Sequence, residues 1–148
     1  MSGINDPLRG RIADRWQALM GAIDGVPETR QEEPGAAGGW SVKDVLGHIA
    51  FWDADATARV RSLIAGQDAR AVEEYEEANQ REAARRSAWS LADVRAELDH
   101  THAALLASLD AADAAGVAID PPVIEGATAE HYDEHLPDLV AFRDRVSD

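Results

Sequence analysis

Three histidines, His48, His131 and His135, are the residues whose type and spacing most directly suggest chemistry. His131 and His135 stand four apart in Ala-Glu-His-Tyr-Asp-Glu-His-Leu. Side chains at i and i+4 of a helix share one face, about 5–6 Å apart at Cβ, a workable bite for one divalent ion with metal–nitrogen bonds of about 2 Å. His48 lies far away, in Gly-Trp-Ser-Val-Lys-Asp-Val-Leu-Gly-His-Ile-Ala-Phe-Trp-Asp, and joins the pair only if two helices pack side by side. The chain has no cysteine, so thiolate sites and disulfides are excluded and His, Asp and Glu are the available ligands.

The other two histidines cannot chelate together. His100 and His102 are two apart, about 200° around a helix. His100 should face solvent, whereas His102 falls on an apolar stripe and reads either as a hydrogen-bonded core histidine or as a pocket residue. Trp16, Trp52 and Met20 are candidates for a pocket wall, with the plain alternative that they are core. Glu134, at about 300° from His131, is expected to point away from the histidine stripe and not to act as a general base. No phosphate loop, nucleophile elbow or His-Glu-x-x-His motif is present.

The elements that must position these residues are helical. Residues 9–24 place Ile12, Trp16, Leu19, Met20 and Ile23 on one face at the helical period, and Gly25 and Pro27 end the run. After a Pro- and Gly-rich loop, Ser41 with Asp44 forms a capping-box pattern, flanked by Trp40 and Val45 at the positions of a hydrophobic staple. The second helix carries Val45, Ile49, Trp52, Ala56, Val60 and Leu63 as its stripe and should stop near Gly66. His48 lies about 60° off the stripe's centre, on the side of Trp52 and Arg59. Residues 69–86 read as a polar crossover helix, with Glu77 to Arg81 and Glu82 to Arg86 at i,i+4 spacing.

Trp89-Ser90-Leu91-Ala92-Asp93-Val94 then repeats the capping pattern and opens a third helix through Leu98, Leu105 and Leu109. The repeat does not extend to chemistry, because Glu97 occupies the position of His48. Residues 113–126, with Gly116, Pro121, Pro122 and Gly126, form a long connection, either a functional lid or a linker. The last helix starts near Thr128 as N-cap, and its stripe of His131, His135, Leu139, Phe142 and Val146 puts both histidines on the buried face. Pro137 should loosen it near Asp133. No strand pattern occurs, so the expectation is an all-α fold, a four-helix bundle with an extra polar crossover helix between helices two and three. If the second and last helices run parallel, all three histidines lie about 5–10 Å below the same end of the bundle.

At 148 residues the chain fits one domain, 1–148, with residues 1–8 expected to be flexible. Net charge is −14, which opposes phosphate backbones and anionic headgroups and makes nucleic-acid or membrane binding a poor fit. No apolar run reaches the roughly 18 residues of a membrane span, and the first residues lack signal-peptide character, so a cytoplasmic location is the default.

Trp40-Ser41-Val42-Lys43-Asp44-Val45-Leu46-Gly47-His48-Ile49 together with His131-Tyr132-x-x-His135-Leu136-Pro137 resembles the DinB/YfiT-like superfamily of metalloenzymes, over most of the chain. Related groups are the ClbS/DfsB-like proteins and the N-terminal domain of mycothiol-dependent maleylpyruvate isomerases. The resemblance implies a four-helix bundle with His48, His131 and His135 as metal ligands, zinc or nickel as the ion, and homodimerisation. The activities of such relatives include thiol-dependent transfer, isomerisation and hydrolysis, so the resemblance supports a site more than a reaction. The leading expectation is a divalent-metal-dependent enzyme acting on a small molecule, of the thiol-dependent transferase or hydrolase type. A low-molecular-weight thiol would be its co-substrate, and Trp52, His102 and Trp16 would line its pocket. The alternative is a non-catalytic, metal-containing small-molecule binding or sequestering protein, and a third is a scaffold whose histidines are core residues.

Overall fold

The computed structural model describes residues 3–69 and 74–147. Five helices follow in order: α1 (Asp6–Asp24), α2 (Val42–Ile64), α3 (Tyr75–Arg86), α4 (Leu91–Ala114) and α5 (Ala129–Val146). Single 3-10 turns at Glu28–Arg30, Pro121–Val123 and Glu125–Ala127 shape the connections, and no named strand occurs among the described residues. The expected all-helical bundle is therefore the observed one, with α3 as the polar crossover between the second and third long helices. Part of the expected 69–86 crossover, residues 70–73, lies outside the described residues.

The capping grammar sets the helix starts. Ser41 Oγ accepts from the Asp44 amide at 3.1 Å and Asp44 Oδ2 accepts from the Ser41 amide at 3.0 Å, a complete box. At Ser90 only the first half forms, from the Asp93 amide at 3.0 Å. Thr128 differs from expectation. It is fully buried, gives no side-chain cap to α5, and donates back to the Ile124 carbonyl at 2.8 Å. Its hydroxyl therefore serves the preceding turn instead of the helix. Pro137 sits inside α5, which continues through it to Val146.

Within the stretch 1–8 that was expected to be flexible, the described residues begin at Gly3 and include polar contacts to the far end of α4. Helix α1 begins at Asp6, and Asn5 is 3 % exposed. Its amide and side chain donate to Asp113 Oδ1 at 2.9 and 2.8 Å, its Nδ2 donates to the Val117 carbonyl, and its Oδ1 accepts from the Ile119 amide. Burying an asparagine is tolerated because each of these polar atoms finds a partner.

Contacts along the helices fix their directions. Lys43 near the start of α2 donates to the Trp89 carbonyl just before α4 at 2.7 Å, and Asp53 meets His102 farther along both, so α2 and α4 run parallel. That arrangement requires a crossover, which the segment containing α3 supplies. Gly47 admits it closely: a Cβ there would stand 2.6 Å from Arg86 Cδ. Between α2 and α5 the order reverses. His48 meets His131 and His135, Asp53 meets Tyr132, and Arg59 meets Val123 ahead of α5. These helices are antiparallel, not parallel as the depth matching of the histidines assumed. The histidines still meet because the connection after α4 climbs past the C-terminal half of α2 and starts α5 part-way along it. Ile12, Leu19, Ile23, Leu46, Ile49, Leu98, Leu105, Leu109 and Leu139 fill the core between the four long helices. Each contributes about 1.5–3 kcal/mol of burial.

Candidate metal centre

Helix α2 presents His48 two turns after its cap, and α5 presents His131 and His135 one turn apart. His131 Nε2 lies 2.9 Å from His48 Nε2 and 3.0 Å from His135 Nε2. One nitrogen from each ring falls within a sphere of mutual separations no greater than 4.8 Å. Trp40, just ahead of the Ser41 cap, packs edge-on against His48 at 5.0 Å between centroids.

Burial and crowding keep these rings neutral. Desolvation, with help from the other two rings, holds His131 down to about 2, and desolvation with His135 and Arg86 holds His48 down to about 3. His135 is also lowered, by burial above all. Three neutral imidazoles whose Nε2 atoms converge cannot satisfy each other with protons. The single lone pair or proton on His131 Nε2 serves one neighbour, and the other is left facing it. A cation among the three would use every lone pair. For bonds of about 2.0–2.1 Å at tetrahedral angles the nitrogens need to stand about 3.3 Å apart, so the observed separations require a spread of a few tenths of an ångström. Nδ1 of His131 would then carry the proton. It is buried without a well-formed hydrogen bond, and the Ala127 backbone one turn back is the group placed to receive it. The donor set fits a divalent ion, and among the described residues it has three members, which leaves a side open.

That side meets a cavity of about 400 Å³. The three histidines line it together with Trp52, Arg59 and Asn79 from α2 and α3, and Val123 and Ala127 from the connection before α5. Trp52 is thus where the sequence reading placed it, and its Nε1 donates to Asn79 Oδ1 at 2.8 Å. Trp16 and His102 do not line this cavity. Their rings stack on each other at 3.5 Å, 6° from parallel, and His102 Nδ1 pairs with Asp53 Oδ2 at 2.9 Å. Met20 is likewise packed against the core and absent from the cavity wall. Of the two readings of His102, the hydrogen-bonded core residue is the one observed. His100 is exposed.

Three further residues correct or extend the reading. Glu134 lines the cavity, because 300° around a helix is 60° the short way, and i,i+3 neighbours share a flank. Asp53 and Tyr132 form a buried polar centre behind the site: Tyr132 donates to Asp53 Oδ1 at 2.5 Å, and both are completely buried. Their signal was present, since Asp53 interrupts the apolar series Ile49, Ala56, Val60 at a stripe position, and Tyr132 precedes Leu139 by two turns. Asn79 carried no comparable signal.

A helical bundle with one open histidine cluster, suited to a divalent cation, is the class of protein these features define. The family model of the DinB superfamily matches residues 11–140, and the chain belongs to that superfamily. No curated protein and no solved structure matches it.

Proposed function

We propose that the chain is a divalent-metal-dependent enzyme acting on a small molecule, a thiol-dependent transferase or a hydrolase, with His48, His131 and His135 as the ligands. The observation that carries this reading is the convergence of three neutral, proton-frustrated Nε2 atoms on the wall of a cavity. A three-ligand set favours catalysis over a purely structural ion, because structural sites tend to be closed by a fourth protein ligand. When bound, zinc or nickel would supply Lewis acidity and bring the pKa of water or a thiol toward neutrality. The chain itself has no thiol to offer, so a sulfur nucleophile would come from a low-molecular-weight co-substrate. Glu134 is the carboxylate on the cavity wall among the described residues and the group positioned to take a proton there. Trp52 and the Val123 wall would exclude water from an apolar substrate portion.

The test is metal analysis of protein purified without a histidine tag, followed by turnover assays of the loaded protein with paired thiols and electrophiles. Stoichiometric metal lost in His131→Ala, with turnover requiring metal, supports the reading. Metal bound without turnover of any pair favours the sequestering protein, and wild type free of metal overturns both.

A further inference from the structure

His48, Trp52 and Arg59 follow one another along a single flank of α2 and all line the cavity, so its wall changes in chemistry along that helix. α2 rises about 1.5 Å per residue, which separates the backbones of His48 and Arg59 by about 16 Å; an arginine leaning toward the helix N-terminus reduces the functional separation to about 10 Å. Farther along α2 the Arg59 guanidinium is only partly used. Its Nη1 donates to the Val123 carbonyl at 3.1 Å, and its Nε is ion-paired with Asp55 Oδ2 at 2.8 Å. No hydrogen bond from Nη2 occurs among the described residues, which leaves it the donor available to a ligand. The side chain is 20 % exposed, enough to be reached from the cavity and buried enough to resist screening by salt.

We infer that Arg59 forms a carboxylate subsite, and that the cavity takes an elongated small molecule with its anionic group at Arg59, an apolar middle against Trp52 and Val123, and its reacting end at the histidines. The assignment of the reacting end rests on the metal-dependent reading above. A guanidinium N–H gives a carboxylate a charge-assisted hydrogen bond, and Asp55, already paired with Nε, offsets part of the charge, which suits a monoanion better than a phosphate dianion. The overall charge of −14 opposes anions at long range, so a small acid needs a local cation to bind at all, and Arg59 is the one cationic side chain on this cavity wall among the described residues.

The plain alternative is that Arg59 only straps the connection before α5 to α2, and two pairs of probes separate the possibilities. Octanoate and octanamide are titrated calorimetrically into metal-free protein, and 8-mercaptooctanoate and its amide into cobalt-loaded protein, where a sulfur–cobalt absorption band reports the reacting end. The carboxylate should bind about tenfold more tightly than its amide in both states. R59Q should reduce that preference below twofold, and R59K should keep an intermediate preference, since lysine retains the charge with a different donor geometry. R59K also serves if R59Q fails to fold, which circular dichroism and melting would reveal. Equal binding of acid and amide, no binding of either, or a preference that survives R59Q would overturn the subsite. Retained octanoate preference with no sulfur–cobalt band would instead overturn the metal-dependent reading and leave the subsite standing.

Discussion

His102 and His131 are buried to nearly the same degree, 7 % and 5 % exposed, yet their surroundings are opposite. His102 has a carboxylate on Nδ1, a tryptophan face stacked on its ring and a tyrosine hydroxyl 3.4 Å away. His131 has two more histidines pointing at its Nε2 and an Nδ1 without a proper partner. The first cluster is complete within the protein: Asp53 accepts from both neighbours, and Trp16 from α1 closes it. Burial pushes the Asp53 carboxyl up, while the bonds from His102 and Tyr132 pull the other way. The second cluster is rich in acceptors and short of positive charge. A polar group survives burial only when partnered, and the partner missing from the second cluster is a cation.

The strongest way to break this contrast is to exchange the roles. His131→Ala should weaken metal binding by more than about 100-fold, beyond the 10–100-fold typical of residues that merely orient a ligand. His102→Ala should leave one ion per chain while lowering the melting temperature. Metal analysis with a competing chelator reads the first effect and calorimetry the second, and equal metal loss in both variants would erase the distinction. Next in size, Asp53→Ala leaves His102 and Tyr132 without their shared acceptor and should cost about 3–5 kcal/mol of stability, the usual consequence of breaking a buried pair. Denaturant unfolding of the metal-free form would measure it, and a cost under 1 kcal/mol would show the cluster to be dispensable.

A third expectation follows from the depressed histidines. In the unfolded chain they take protons near 6.5, whereas in the fold His48 waits until about 3 and His131 until about 2. The unfolded state therefore binds more protons in that window. The metal-free protein should lose stability as pH falls from 6.5 toward 3, while its stability is fully present above 6.5. Asp53, being raised, acts in the opposite sense as pH rises above the ordinary carboxylate range, so it softens the acid loss. The slope of melting temperature against pH should flatten in His48→Ala, and an unchanged slope would contradict the assignment. Smallest is Tyr132→Phe, which removes one donor from Asp53 and should cost about 1.5–3 kcal/mol if the carboxylate is ionised, with metal content unaltered.

The helices and the three histidines were legible in the sequence because capping residues and a 3.6-residue period are local signals. Ser41 with Asp44 behaves as its pattern required. What spacing alone could not convey was direction. Nothing local distinguishes an antiparallel from a parallel α2–α5 pair, since that depends on how far residues 115–128 carry the chain before α5 begins. Asp53 and Tyr132 were overlooked because a polar residue on an apolar stripe reads as an interruption until its partners on two other helices are known. Glu134 was misplaced by an angle taken the long way round, and Trp16 and His102 were drawn toward the pocket although their stacking commits them to the core.

Asn5 gives the start of α1 a reach beyond its own helix. Through Asp113, Val117 and Ile119 it ties down the first part of the connection that goes on, four residues later, to the Arg59 contact at Val123. In hydrogen-exchange terms, the Ile119 amide is shielded by a side chain from the opposite end of the sequence. A chain shortened to begin after Asn5 should keep its core protected while that single amide, and the connection leading to Val123 with it, exchanges early.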